Sequence, residues 1–232
     1  MNIELCIPAF NEERIIASAA RAVVRVLRGA NKNASVTVAD NASTDATAEI
    51  ARSVVGVSVL SIPVRGKGAA VVEAARRSSA DVFGFLDADL SADTADIITL
   101  LTLVEKGACD IAIGSRLLDT GLVDRGKFRT LGSKLFNLVR KVLLGIAVQD
   151  TQCGLKVMNA RGREVLARCA EQGWFFDIEF LARAERAGLR ISEVPIRWRE
   201  QRFAGRESKL HLFRDGVMAI AAMLRIRRQI RR

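Results

Sequence analysis

The chain has 232 residues, 50% of them hydrophobic and 27% charged, which suits one large packed domain or two small ones. The formal net charge of +10 requires an anionic partner, for which nucleic acid, an anionic membrane surface and phosphorylated substrates are the candidates. Aromatic residues make up 5% of the chain and tyrosine does not occur, which argues against stacking on single-stranded nucleic acid.

The cysteines and the apolar runs bear on where the protein works. No CxxC pair occurs, which favours reduced, buried thiols in a cytoplasmic protein over a zinc site. We expect no signal peptide before the first strand, and the apolar run over 217–224 is far shorter than the roughly 20 residues that span a bilayer. We therefore predict a cytoplasmic protein that is not an integral membrane protein.

Strand and helix patterns alternate through the first half of the chain. Apolar runs bounded by turn residues predict strands over 3–7, 35–39, 57–62, 82–86 and 111–115. Between them, helical patterns predict helices over 12–27, 45–54, 67–78 and 93–106. Repeated β-α-β units of this length predict an α/β fold with a mostly parallel sheet and helices on both faces.

Polar residues follow the first and second strands. Asn11, together with Ser43 or Thr44, can cap the helices that come next. Asp40 can also accept hydrogen bonds from a ribose or a base at the carboxyl edge of the sheet. Capping explains Asp45 better than it explains Asp40, so both interpretations stay open for Asp40.

A glycine-lysine-glycine segment, Gly66-Lys67-Gly68, lies before the third helix. Glycines beside a lysine at a helix N-terminus suit the binding of an anion. The spacing is not that of a P-loop, and GxGxxG does not occur in the sequence. A flexible turn with a solvated lysine is the alternative.

Two aspartates, Asp87 and Asp89, directly follow the apolar strand over 82–86. Carboxylates one residue apart can point at a single hard cation such as Mg²⁺ or Mn²⁺. In an open α/β sheet, ligands bind beyond the carboxyl ends of the strands, where this pair would lie. An Asp-rich turn that caps the next helix is the alternative, and the pair alone does not decide.

The second half departs from regular alternation. It predicts a helix over 128–144, a strand over 155–158, a helix that opens at 174–177, a strand over 191–198 and a polar loop over 199–209. Basic residues surround the apolar stripe of the first of these helices, so it either packs on the core or lies on a membrane. Cys153 is expected to be a packing residue, and Asp177 to cap its helix.

The tail from residue 210 is predicted to be a basic amphipathic helix. Its apolar face carries Ala219, Met223, Ile226 and Ile230, and the terminal arginines lie on the opposite face. Such a helix can be a membrane anchor or can bind a partner protein. We favour peripheral attachment to the anionic inner face of the membrane, with a separate membrane-protein partner as the other possibility.

Eight motifs together resemble the family 2 glycosyltransferases of GT-A fold, in the branch of the dolichyl- and polyprenyl-phosphate sugar synthases. They are IPAFNE at 7–12, DNASTD at 40–45, GKG at 66–68, DADLS at 87–91, GSR at 114–116, DTQCGLK at 150–156, FDIE at 176–179 and Trp198 through Ser208-Lys209-Leu210. The resemblance implies a GT-A domain over 1–209, with a nucleotide-sugar half over 1–115 and an acceptor and lid half over 116–209. The basic helix over 210–232 follows it.

The resemblance also implies a role for each matching residue. The implied donor-binding residues are Pro8, Phe10, Glu12, Asp40, Asn41, Lys67, Asp87, Ala88, Gln152, Arg206 and Lys209. Asp89 is the principal metal ligand, with Asp87 and Ser91 as further ligands, although serine is shorter than the glutamine that some members have there.

The acceptor phosphate would be bound by Arg116 of the GSR motif. Arg129 and Ser133, which follow that motif with the family's spacing, would bind it too. The implied catalytic residues are Asp89, Arg116, Arg129 and Asp177. The loop over 199–209 would be a lid that closes on the donor's diphosphate, through Arg206, Ser208 and Lys209.

The function that the resemblance implies is metal-dependent, inverting transfer of a hexose to a polyprenyl or dolichyl phosphate at the cytoplasmic face of a membrane. Both UDP-glucose and GDP-mannose stay open as donors, and no nucleic-acid partner is expected. One alternative is a family 2 enzyme that acts on a glycan or another soluble acceptor. Another is a haloacid-dehalogenase-type phosphatase with Asp87 as nucleophile, which the three β-α units before Asp87 disfavour.

Overall fold

A computed structural model of the protein describes residues 1–119, 140–141, 143–199 and 212–230. The strands are β1 (Ile3–Ala9), β2 (Ala34–Asn41), β3 (Val57–Ile62), β4 (Val82–Phe85), β5 (Ile111–Ser115), β6 (Lys156–Asn159) and β7 (Ile191–Pro195). The helices are α1 (Ile16–Gly29), α2 (Thr47–Arg52), α3 (Lys67–Arg77), α4 (Ala95–Glu105), α5 (Ala160–Ala167), α6 (Phe176–Arg186) and α7 (Leu212–Gln229). The helix predicted over 128–144 and the loop predicted over 199–209 lie almost entirely outside the described residues.

The strands form one seven-stranded sheet in the order β3-β2-β1-β4-β6-β5-β7. All neighbouring pairs are parallel except those of β6, which runs antiparallel to both β4 and β5. The prediction of a mostly parallel α/β sheet is therefore confirmed. Because β6 is reversed, its first residue, Lys156, lies beside Phe85 and Ile113 at the edge where β4 and β5 end.

Two helices differ from the sequence prediction. The first helix begins at Ile16 and not near residue 12, and no side chain caps it. The helix α5 was not predicted; it begins after Asn159, whose Oδ1 accepts a hydrogen bond from the Gly162 amide at 3.0 Å. An asparagine directly after a strand is the cap that could have revealed it.

The tail helix packs on the protein itself. Ala219, Met223 and Ile226 on its predicted apolar face are buried in the same hydrophobic core as the sheet, and Ile230 is half-buried against that core. This face is covered by protein and is not available to a membrane, so the predicted peripheral attachment would need another surface and stays a prediction. The exposed side of α7 carries Ile220, Leu224 and Arg228.

The four cysteines are all buried free thiols, as the sequence predicted. Burial raises the pKa of Cys153 to about 11, so this thiol stays protonated near neutral pH and serves packing. None of the helices within the described residues combines the length and the apolar composition that a bilayer span requires.

Candidate active site

The loops that follow β1 and β2 hold each other at the carboxyl edge of the sheet. The Asn11 amide donates to the Ser43 hydroxyl at 3.0 Å, and Asn11 Oδ1 accepts from the Thr44 amide at 2.8 Å. The Glu12 amide donates to Thr47 Oγ1 at 2.8 Å. These side chains were predicted to cap the helices of their own segments. They bond across the two loops instead and so fix the floor of the site.

Three residues beside these strand ends have left-handed backbone conformations although none is a glycine. They are Asn11, Ala42 and Leu90, with φ values of 54°, 57° and 49°. Alanine and leucine pay a steric cost in this region, and such strain concentrates at ligand sites. The ends of β1, β2 and β4 are thus the strained edge of the sheet.

Asp40 and Asn41 end β2, and both side chains are buried. The Asn41 amide donates to the Val64 carbonyl at 2.7 Å, and its Oδ1 accepts from the Gly66 amide, so it holds the loop before α3. Asp40 Oδ1 is buried without a hydrogen-bond partner in the part of the chain that the structure describes. A buried acceptor of this kind marks a place where a ligand's donor can bind.

Phe10 lies at the same end of the sheet as Pro8, which is the neighbour of Ala39 in the β1–β2 register. The guanidinium of Arg65 stacks on the Phe10 ring, with its carbon 4.2 Å from the ring centroid. This contact adds a second fixed point between the β1 and β3 loops. The predicted donor residues Pro8 and Phe10 therefore lie at the carboxyl end of β1, and their role in donor binding stays a prediction.

Lys67 and Asp87 form an ion pair at the end of β4, with 2.6 Å between Lys67 Nζ and Asp87 Oδ1. Burial would raise the pKa of Asp87, but the Lys67 ammonium outweighs it and holds that pKa below its ordinary value. The lysine of the Gly-Lys-Gly segment is therefore part of the site and not a solvated turn residue. Its partner is a carboxylate, so its charge is already balanced before any anion binds.

Gly154 lies directly against Asp87, and a Cβ built on this glycine would overlap with Asp87 Oδ2. We expect Gly154→Ala to displace the carboxylate and lower catalytic activity about 10- to 100-fold, since small misplacements in a site are costly. We expect it to cost about 1–3 kcal/mol of the free energy of unfolding. Steady-state rates and thermal unfolding measure the two effects. Gly29→Ala is the control, because its Cβ would meet nothing within 4 Å; equal effects of both variants would refute the expectation.

Asp89 lies in the turn after β4, where its Oδ1 accepts from the Ser91 amide at 3.0 Å. Among the described residues, no group of three or more acidic, histidine or cysteine side chains is placed so that it could hold a metal ion. A hard cation here would take one or two protein carboxylates and complete its shell with substrate oxygens, as Mg²⁺ commonly does beside a diphosphate. The carboxylate of Asp89 fits such a shared site; Asp87 is already paired, and a ligand role for Ser91 stays a prediction.

The turn with Asp89 is tied to the segment that leads into the predicted lid. Ala92 forms a β-bridge with Trp198, and the Arg199 amide donates to the Ser91 carbonyl at 2.9 Å. The Asp93 amide in turn donates to the Arg197 carbonyl at 3.0 Å. The described part of the chain thus brings the start of the predicted lid beside the predicted metal ligand.

Arg116 follows β5 and forms a two-pronged ion pair with Asp150. Its Nε and Nη2 each donate to a carboxylate oxygen at 2.7 Å, and its backbone amide donates to Asp150 Oδ2 at 2.8 Å. The Trp198 ring centroid lies 5.7 Å from the guanidinium carbon. Arg116 is therefore oriented by the fixed carboxylate of Asp150, for which the sequence alone predicts no role.

Lys156 and Asp177 form a further ion pair of the site. Lys156 Nζ is 2.5 Å from Asp177 Oδ1 and donates to the Cys153 carbonyl at 2.6 Å, and both charged side chains are almost fully buried. Burial raises the pKa of Asp177, although Lys156 and Lys67 oppose the shift. The expected helix cap at Asp177 is wrong, since α6 starts after Phe175 without a side-chain cap. A lysine inside an apolar strand was the sign of a buried partner.

The remaining predicted residues divide into two groups. Ala88 is buried, and the Gln152 side-chain amide donates to the Trp174 carbonyl at 3.5 Å. The residues that lie outside the described part of the chain are Arg129, Ser133, Arg206, Ser208 and Lys209. The site residues that the structure does describe come from the ends of β1, β2, β4 and β5 and from the loop before β6.

The chain is similar in fold and in sequence to known proteins. The solved glucosyl-3-phosphoglycerate synthase from Mycobacterium tuberculosis, in complex with Mn²⁺, UDP and glucosyl-3-phosphoglycerate, superposes with a TM-score of 0.69. At 23% identity, with 97% of this chain and 79% of that chain covered, it confirms the GT-A fold.

Two curated relatives are closer in sequence. Glycosyltransferase AglD of Haloferax volcanii is 30% identical over 223 residues, which are 93% of this chain but 35% of AglD, so the chain spans about a third of that relative's length. The dolichyl-phosphate beta-glucosyltransferase of Drosophila melanogaster is 30% identical over 220 residues, covering 86% of this chain and 68% of the relative.

The family model described as glycosyl transferase family 2 matches residues 4–165, which include the strands and loops from β1 to β6. This match excludes the phosphatase interpretation of Asp87. The chain belongs to glycosyl transferase family 2, in the branch of the dolichyl-phosphate glycosyltransferases.

Proposed function

We propose that this protein transfers a hexosyl group, glucosyl before mannosyl, from a nucleotide-sugar to a polyprenyl or dolichyl phosphate. The observation that carries the proposal is the order of charged groups along the sheet edge. Asp40 on β2, whose buried Oδ1 has no hydrogen-bond partner among the described residues, comes first, then Asp89 after β4, then Arg116 after β5. This order suits a nucleoside, a diphosphate and an acceptor phosphate laid side by side. The name of the Drosophila relative favours glucose and dolichyl phosphate.

The residues of the chain divide the work. Asp40 would accept a hydrogen bond from the nucleoside, with Pro8, Phe10, Glu12 and Asn41 shaping its cradle. Asp89 would hold Mg²⁺ or Mn²⁺, which when bound supplies positive charge to the leaving diphosphate. Lys67 and Asp87 would face the sugar side of the donor, and the lid cations Arg206 and Lys209 would close over the diphosphate.

On the acceptor side, Arg116 would hold the phosphate in line behind the anomeric carbon, with Arg129 and Ser133. The acceptor phosphate is ionised near neutral pH, so no strong general base is required. Direct displacement then inverts the anomer and gives a β-linked product. Asp177 is already paired with Lys156, so it would help to position the surrounding residues of the site.

Attachment to an anionic membrane surface is also part of the proposal. Since the face with Met223 and Ile226 is buried, the candidate surface is the exposed side of α7 with Ile220, Leu224 and Arg228. Exposed apolar and basic side chains together suit an anionic lipid interface. This would place the acceptor lipid beside the enzyme at the cytoplasmic face.

The test supplies UDP-glucose labelled in the sugar, dolichyl phosphate in detergent and Mn²⁺. We expect label to enter the organic phase, and we expect this transfer to stop when EDTA removes the metal. In the isolated lipid product, the coupling of the anomeric proton should report a β-linked glucose. A parallel reaction with GDP-mannose tests the donor, and one with 3-phosphoglycerate tests a soluble acceptor. Label that enters only a water-soluble product would contradict the lipid acceptor, and no transfer from either donor would refute the whole proposal.

A further inference from the structure

A large aromatic side chain stands exposed beside the site. Trp174 is 69% exposed, although its indole is the largest apolar ring that the sequence offers. Lys67 Nζ lies 5.7 Å from its ring centroid, and Lys67 is the partner of Asp87. Exposed single apolar residues are common on protein surfaces. Trp174 differs because its ring borders the ion pair at the end of β4.

The loop that carries Trp174 is fixed at its backbone. The Ala69 amide donates to the Gln172 carbonyl at 3.0 Å, and Glu179 Oε2 accepts from the Ala170 and Glu171 amides at 2.9 and 2.7 Å. Three anchors therefore hold the segment just before the tryptophan.

Two glycines of the α3 segment and an arginine of α7 also contact the loop before Trp174. A Cβ on Gly66 or on Gly68 would overlap with the backbone carbonyl of Gln172 or Glu171, so α3 approaches this loop as closely as glycine permits. Arg225 of α7 donates two hydrogen bonds to the Glu171 carboxylate, from Nε at 2.6 Å and from Nη2 at 2.8 Å. Because the backbone before Trp174 is held in place, its exposed ring can contact a ligand with little loss of conformational entropy on binding.

The order of the strands says which part of a donor this ring would meet. If the nucleoside lies at β2 and β1, beside Asp40, the transferred group extends toward β4 and β6. Asp87 ends β4, and Gly154, which precedes β6, packs against it. The Gln152 side chain, two residues before Gly154, donates to the Trp174 carbonyl at 3.5 Å. Trp174 therefore lies beside the part of the site that would hold the sugar, next to Lys67 and Gln152.

We propose that Trp174 is the platform on which the hexosyl ring of the donor stacks, an inference that rests on the proposed function. One face of a pyranose presents C–H bonds, whose hydrogens are attracted to the electron-rich face of an indole. The hydroxyl groups around the ring edge would meet the polar groups of Lys67 and Asp87. The polyprenyl chain of the acceptor is the competing occupant, and the charged pair beside the indole disfavours it.

The test compares the binding of UDP and of UDP-glucose by calorimetry in the presence of Mn²⁺, with the wild-type chain and with Trp174→Ala. We expect the variant to bind UDP-glucose about 5- to 10-fold more weakly, in line with the strength of aromatic contacts, while its affinity for UDP changes less than about 2-fold. Trp174→Phe should retain most of the UDP-glucose affinity. Val55→Ala, at a position 79% exposed and far from the site, is the matched control.

Three results would overturn the inference about Trp174 and leave the proposed function intact. Unchanged UDP-glucose affinity, or an equal loss for UDP and UDP-glucose, removes the sugar contact. Loss of binding to dolichyl-phosphate vesicles with UDP-glucose affinity intact assigns the ring to the lipid. If the wild-type chain prefers GDP-mannose, the same comparison is made with GDP and GDP-mannose. If the wild type binds none of these nucleotides, the proposed function itself fails, and the inference falls with it.

Discussion

Replacement of Asp89 by asparagine is expected to lower kcat at least about 100-fold. The amide keeps the size of the side chain and can still accept the Ser91 amide, which is 3.0 Å from Asp89 Oδ1. What it loses is the negative charge. Asp87, two residues earlier, cannot take over, because its carboxylate is already neutralised by Lys67. The variant is expected to fold normally, so the loss falls on catalysis and on the binding of Mn²⁺.

The measurement is the rate of sugar transfer as Mn²⁺ is titrated, together with UDP binding at each metal concentration. Asp81→Asn is the matched control, since this exposed aspartate stands just before β4, at the opposite end from Asp89, and accepts from the Asn2 amide. Near-normal transfer by Asp89→Asn at saturating Mn²⁺ would show that Asp89 is not the metal ligand.

Removal of the Lys156 charge is expected to be the most destabilising single change in the core of the site. Lys156→Met leaves the Asp177 carboxylate buried without its partner at 2.5 Å, and Met also leaves the Cys153 carbonyl without its donor. Breaking a buried pair on one side costs roughly 3–5 kcal/mol of the free energy of unfolding. Urea unfolding measures the loss.

A double variant and the pH dependence separate this cause from simple loss of packing. Lys156→Met with Asp177→Leu removes both charges, so we expect it to recover most of the stability that Lys156→Met loses. If the double variant is less stable than the single one, the buried charge is not the cause.

The pH dependence follows from Asp177, whose pKa burial raises. Without Lys156, the largest opposing influence is gone and the pKa in the folded variant rises further. The folded variant then binds a proton more tightly than its unfolded chain, so acidification favours folding. The deficit relative to wild type should be largest near pH 7 and shrink toward about pH 5. A deficit that grows as the pH falls would contradict this assignment.

Much of the fold could be predicted because its elements are locally coded. The strands over 57–62 and 111–115 match β3 and β5 at both ends, and the parallel alternation follows from the β-α-β repeat. The start of α1 was missed because Asn11 bonds to Ser43 and Thr44 of another loop. No pattern within one segment encodes such a contact.

The sequence by itself determined which residue types stand at the strand ends: an aspartate at the end of β2, the Asp87 and Asp89 pair after β4 and an arginine after β5. Tertiary structure alone decided their states. It paired Lys67 with Asp87 and left Asp89 without an ion pair among the described residues, and it joined Arg116 to Asp150, 34 positions away. It also buried the apolar face of α7, which periodicity shows but cannot assign to core or membrane. Charges and apolar faces acquire their roles from neighbours distant in sequence, and only the packed sheet selects those neighbours.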